Sequence, residues 1–135
     1  MIGLDTNVLV RFIVRDDLPQ TKAATRLIEA RCTAETPGLV SSIVLCEIVW
    51  VLSRGYGYSR GEVAEVLRRI LSVQELRVHR PDLAWRVMQR FEAGRADFAD
   101  YLIGLSNREE KAQITFTFDA KAAQSDLFAT VPLDD

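Results

Sequence analysis

The sequence predicts an α/β domain with a mainly parallel sheet, and three features lead there. Short runs of β-branched and apolar residues alternate with longer segments of helical periodicity, the pattern of β–α–β units. Asp5 and Asp119 each follow a predicted strand directly, at the end where open parallel sheets bind their ligands. The length of 135 residues matches one ordinary domain, so a single core over residues 1–135 is expected.

The elements follow in order. Ile2-Gly3-Leu4 reads as a short buried strand, and Asn7 to Val14 as a short helix or turn carrying Val8, Leu9, Phe12 and Ile13. Pro19 suits the first position of a helix, where its missing N–H costs nothing; Ala24, Leu27, Ile28 and Arg31 recur on successive turns after it. Pro37-Gly38 breaks the chain, Leu39-Val40 forms a second strand, and Ser41-Ser42 offers N-caps. Ile43 to Leu52 is the most apolar run and too long for a typical strand, so a buried helix is predicted, ended by Gly55 and Gly57. Ser59-Arg60-Gly61-Glu62 has capping-box form, with Val63, Val66, Leu67, Ile70 and Leu71 following at helical spacing. Leu76 to His79 reads as a strand. Pro81 opens a helix with Ala84, Val87, Met88 and Phe91 on one face, stopped at Gly94. Asp97 opens the next, with Phe98, Tyr101, Leu102 and Leu105 toward the core. Gln113 to Phe118 is strand-like in its β-branched and aromatic content. A short helix over Ala120 to Ser125 and a strand near Ala129 to Pro132 complete the pattern.

Charge narrows the function classes. A formal net charge of −2 excludes a polycation that holds nucleic acid by bulk attraction; any phosphate contact needs locally gathered cations or metal ions. Basic residues are mostly Arg, with only Lys22, Lys111 and Lys121 as lysines, which suits bidentate phosphate contact and equally a compositional preference of the host. Cys32 and Cys46 have no metal-ligand spacing and read as small buried hydrophobes in a reducing compartment. No signal peptide is expected at the N-terminus, and no apolar run reaches the ~18 residues of a membrane span. A cytoplasmic location without membrane partners is expected.

Five carboxylates stand out. Asp5 and Asp119 sit at strand ends, although each could simply cap the helix that follows. Glu47 is the only charged residue in an apolar run, where a carboxylate is costly unless it meets a partner or a cleft; an ion pair with an Arg is the structural alternative. Asp97 and Asp100 have the spacing of an N-cap and its N3 partner, both favoured by the helix dipole. Gly104, one turn beyond Asp100, either leaves space above it or lets two helices approach closely. Converging carboxylates repel, so together they imply a cation. All-oxygen donors suit Mg²⁺ or Mn²⁺, and such an ion serves phosphoryl chemistry.

Other chemistries have less support. His79 is the single histidine, and no G-x-x-x-x-G-K or G-x-G-x-x-G phosphate loop is present. An aspartyl-phosphate enzyme using Asp5 would carry a second Asp two residues on, where this chain has Asn7.

Ile2 to Val10, Glu47 within its apolar helix, Asp97-Phe98-Ala99-Asp100 with Ile103-Gly104, and Thr115 to Asp119 together resemble the PIN-domain ribonucleases. The closer likeness is to the toxin component of VapBC-type toxin–antitoxin pairs. The resemblance spans essentially the whole chain. It implies a three-layer α/β/α architecture and a Mg²⁺- or Mn²⁺-dependent endoribonuclease acting on structured RNA such as tRNA. Asp5, Glu47, Asp100 and Asp119 would be the acidic quartet, with Asp97 beside it. Asp5 and Asp100 are the first choices as metal ligands, although Asp97 could replace Asp100 as the main ligand of that pair. Thr6, Asn7 and Thr117 would hold the carboxylates by hydrogen bonds. The family further implies a homodimer or a hetero-oligomer with a cognate antitoxin that covers the site. Arg11, Arg15 and Arg95 are the RNA-contact candidates by position, each equally readable as a solvated surface arginine. A non-cleaving RNA- or partner-binding module of the same fold is the alternative.

Overall fold

The computed structural model describes residues 1–134, so the domain expected over 1–135 extends one residue beyond them. The chain runs α1 (Thr6–Val14), α2 (Leu18–Arg31), β1 (Gly38–Val40), α3 (Ser42–Trp50), a π-helical turn (Val51–Gly55), α4 (Arg60–Ser72) and β2 (Leu76–Val78), then α5 (Pro81–Ala93), α6 (Phe98–Glu109), β3 (Thr115–Thr117), α7 (Ala120–Ala123) and β4 (Phe128–Thr130). Each predicted segment after residue 5 is found, with ends moved by a residue or two, whereas the strand over residues 2–4 is reduced to a single bridge.

Capping explains most helix starts. Asp5, Asp17, Ser41, Ser59 and Asp119 each turn a side-chain oxygen onto an otherwise unpaired N–H of the first turn. At α2 this makes Asp17 the cap and moves Pro19 one place inward from its expected first position. Ser59 and Glu62 form the predicted capping box.

All paired strands are parallel. β1 pairs with β2 in the register Gly38–Leu76, Leu39–Arg77, Val40–Val78, and β3 pairs with β4. Residues 2–4 lie beside β1 but form only one bridge, Gly3 to Leu39, closed by Leu4 N–H to the Leu39 carbonyl at 2.9 Å and Leu39 N–H to that of Ile2 at 2.8 Å. The strand expected there is cut short because Asp5 already caps α1. Among the described residues the strands form two hydrogen-bonded ladders, β1–β2 and β3–β4, rather than one continuous sheet.

Alternation divides the first ladder by face. Leu4, Val40 and Val78 point into the core; Gly3, Leu39 and Arg77 point outward. The inward row joins one hydrophobic cluster with Leu9, Leu45, Ile48, Leu52, Leu67 and Met88. Burial of each such side chain is worth about 1.5–3 kcal/mol. α4 packs on α5 and α5 on α6, so the predicted faces of α5 and α6 are buried as expected.

Two expectations change. α3 is not buried all round: Ile43 (73% exposed), Glu47 and Trp50 (63%) share one outward stripe at i, i+4 and i+7. Gly104 leaves no open space. A Cβ there would lie 2.9 Å from Leu127 Cβ and from Phe128 Cε2, so glycine lets α6 rest against the chain entering β4.

No helix among the described residues is long and apolar enough to cross a membrane. Cys32 is buried and Cys46 half-buried, both as free thiols; burial, then the neighbouring Glu47, raises the Cys46 thiol pKa.

Candidate active site

The acids meet in two groups. In the first, Asp5 ends the 2–4 segment and caps α1, and its Oδ1 accepts the Thr6 N–H at 2.7 Å. The Thr6 hydroxyl donates to Glu47 Oε1 at 2.8 Å. Thr6 therefore ties the N-terminal carboxylate to the one on α3. Glu47 is neither desolvated nor in an ion pair among the described residues, because the stripe that carries it faces solvent. Asn7 is exposed, makes no hydrogen bond among the described residues, and faces Arg11 and Gln20, so it does not support a carboxylate.

The second group surrounds the start of α6. Asp97 is the N-cap residue, and Asp100 Oδ2 accepts the Asp97 N–H at 3.3 Å, the arrangement their spacing suggested. Asp119 ends the β3 connection and caps α7, with Oδ1 accepting from Lys121 N–H at 2.8 Å and Ala122 N–H at 3.1 Å. Thr117 acts on the Asp119 backbone rather than its carboxylate: its hydroxyl oxygen accepts the Asp119 N–H at 3.0 Å.

Electrostatics single out Asp100. Burial raises its pKa above the usual carboxylate range; the Asp97 N–H opposes this, and the charges of Asp97 and Asp119 add to it. The all-oxygen donor set and this crowding fit a hard divalent cation in kind. Among the described residues, however, no three His, Cys, Asp or Glu side chains converge closely enough to bind a metal as they stand. The reason is visible: Asp5 and Asp119 are turned onto amides at helix starts, and Glu47 onto Thr6.

α3 links the groups. It contacts both α1 and α6, and Cys46, Trp50 and Asp97 line one cleft of about 330 Å³. Arg60 fixes the far wall of that cleft, a role the sequence did not suggest. Its Nε donates to the Phe91 carbonyl at 2.6 Å, its Nη2 to the Ala96 carbonyl, and its guanidinium lies 4.0 Å over the Phe91 ring. Burial lowers its pKa, opposed by nearby Tyr101 and Asp97. Arg60 thus pins the turn that delivers Asp97. Gly94 begins the same turn because a Cβ there would fall 1.9 Å from the Tyr101 hydroxyl.

The three arginines separate. Arg11 is committed to structure: Nε donates to Gln20 at 2.6 Å, and Nη1 donates to Asp16 at 3.0 Å and to the Tyr56 hydroxyl at 2.9 Å. Arg15 caps the opposite end of α1, about 15 Å along the helix from Asp5 at 1.5 Å per residue. Arg95 is exposed and shares a cleft with Arg90, Lys121 and Asp126, next to the Asp97 and Asp119 turns. Lys121 is an addition; its signal was its place two residues after Asp119.

Carboxylates at strand ends and helix starts, all of them oxygen donors, suit a hard divalent cation and the phosphoryl chemistry it serves. The chain belongs to the PIN-domain family, whose family description matches residues 2–126. PIN domains are typically metal-dependent nucleases. No curated protein and no solved structure matches the chain closely enough to add a nearer relative.

Proposed function

We propose that this PIN domain is a Mg²⁺- or Mn²⁺-dependent endoribonuclease that acts as the toxin of a VapBC-type toxin–antitoxin pair. The observation that carries the nuclease reading is the placement of Asp97 and Asp100 at the start of α6 with Asp119 near them, within a chain matched to the PIN family over residues 2–126; burial and the two neighbouring charges push the Asp100 carboxyl up. A divalent cation relieves that repulsion. Asp5 and Asp100 would hold it, with Glu47, Asp119 and Asp97 as further acids around it. When bound, the ion activates water and neutralises charge on the phosphate. The protein's own contribution is positional: Thr6 couples Asp5 to Glu47, and Arg60 holds the turn before Asp97.

RNA, structured molecules such as tRNA in particular, is the substrate of this reading, with Arg95 and Lys121 as phosphate contacts. Exposed Ile43 and Trp50 beside Glu47 support a protein partner that covers the site, whether a second copy or an antitoxin. Asp5→Asn and Asp100→Asn should each abolish cleavage of total RNA and relieve growth arrest on expression, with folding retained. Undiminished cleavage by both variants, or in excess chelator, would refute the reading.

One observation favours a non-cleaving RNA-binding module instead: among the described residues, no three acids converge as they stand. Purified chain that shifts RNA yet leaves it intact with either metal would support that alternative.

A further inference from the structure

The register of the first ladder sets a second row of residues beside Asp5. Gly3, Leu39 and Arg77 are in register, so Asp5, Ser41 and His79, two residues on, occupy the carboxyl ends of three adjacent strands. The His79 N–H donates to the Val40 carbonyl at 2.9 Å, so the pairing reaches that far. With neighbouring strands about 4.8 Å apart, His79 lies roughly 10 Å from Asp5 across the strand ends.

All three line one cleft of about 740 Å³, together with Arg77 and Arg80. Its floor is open and apolar: a Cβ at Gly3 would meet nothing within 4 Å, and Leu39 is 39% exposed. Arg80, held in a left-handed conformation, is ion-paired to Glu109. Arg77 and His79 are exposed and have no side-chain hydrogen bond or ion pair among the described residues. In a chain of net charge −2, the unpaired Arg77 guanidinium, with the His79 imidazole two residues on, offers a local contact of the kind a phosphate backbone requires.

We propose that this cleft is the subsite for the RNA strand adjoining the phosphodiester at the acidic site. Arg77 holds the neighbouring phosphate, His79 hydrogen-bonds to the same backbone, and the nucleoside lies over Gly3 and Leu39. The inference rests on the reading that RNA is engaged at Asp5. A floor without charge and a rim with cations suit a polymer of bases and phosphates better than an acidic peptide.

The test is equilibrium binding of a fluorescent single-stranded oligoribonucleotide in excess chelator, where cleavage cannot interfere, at several salt concentrations. Arg77→Ala should weaken binding about tenfold, and the slope of log affinity against log salt should fall in magnitude by about one. Arg77→Lys should restore most of the slope, and His79→Ala should weaken binding less than Arg77→Ala. Arg31→Ala, on the exposed end of α2, should change neither quantity. In Mg²⁺ or Mn²⁺, Arg77→Ala should raise KM and leave kcat within about twofold. All four variants are at exposed positions, and circular dichroism checks that they fold.

If the wild type cleaves RNA and Arg77→Ala and His79→Ala bind like it, the cleft proposal is wrong and the nuclease reading stands; a cleft that receives a protein segment gives this result. If Arg77→Ala weakens binding but no metal supports cleavage, the subsite stands and the nuclease reading fails. Wild type that binds RNA neither in chelator nor in Mg²⁺ or Mn²⁺, and cleaves none, overturns both.

Discussion

The Thr6 hydroxyl donates to Glu47 Oε1 at 2.8 Å across 41 residues of sequence, while the Thr6 N–H is held by Asp5 Oδ1. One residue therefore sets two carboxylates relative to each other. Thr6→Val keeps the side-chain shape and removes the hydroxyl. It should lower RNA cleavage about tenfold and cost no more than ~1 kcal/mol of stability, since the bond is exposed. Thr6→Ser should retain activity. Steady-state cleavage and urea unfolding separate these effects.

Asp100 carries a conflict between stability and function. Its pKa is raised by burial and by Asp97 and Asp119, so the folded chain keeps this proton at a pH where the unfolded chain has released it. Stability therefore falls as pH rises through that interval, and the cost persists at neutral pH. In metal-free buffer at pH 7, Asp100→Asn should raise Tm by about 1–2 °C, a small gain because the site is partly solvated. The gain should vanish at a pH below the ordinary carboxylate range. Added Mg²⁺ should stabilise the wild type more than the variant, and thermal melts across pH and metal concentration check all three statements.

Arg60 joins α4 to the end of α5 and to the turn before Asp97 through two carbonyl acceptors and the Phe91 ring. Arg60→Ala leaves both carbonyls without this donor and should cost roughly 2–4 kcal/mol. Arg60→Lys, which lacks the fork geometry, should recover less than half of that. Denaturant midpoints report the loss. If Arg60 positions Asp97, the alanine variant should also cleave more slowly at temperatures where it remains folded.

Gly104 has no room for a methyl group. Gly104→Ala places a carbon 2.9 Å from Leu127 Cβ, a backbone-anchored atom that cannot swing away. Overpacking of this kind costs about 1–3 kcal/mol. A melting temperature equal to that of the wild type would show that α6 and the β4 lead-in part without penalty.

Much of the architecture was legible because it is written in local chemistry. Capping residues, the prolines near helix starts and the period of apolar residues act within a few positions, so Ser59–Glu62, Pro81 and the Val87–Met88–Phe91 face could be read directly. The acids at Asp5, Asp97, Asp100 and Asp119 were legible as caps for the same reason, and the structure keeps them as caps. Glu47 was misread in environment: an apolar run identified its helix but not the stripe that faces solvent, which depends on which neighbours α3 finds.

The sequence by itself determined the order and type of the elements, the helix caps, and which carboxylates stand at strand ends and helix starts. Tertiary structure alone decided the rest. It brought Thr6 to Glu47, set Asp119 near Asp100, committed Arg11 to Tyr56, and set His79 across the strand ends from Asp5. These are contacts between residues far apart in the chain. Local propensity acts over one or two turns, whereas such contacts depend on how buried faces of several elements fit together in one core.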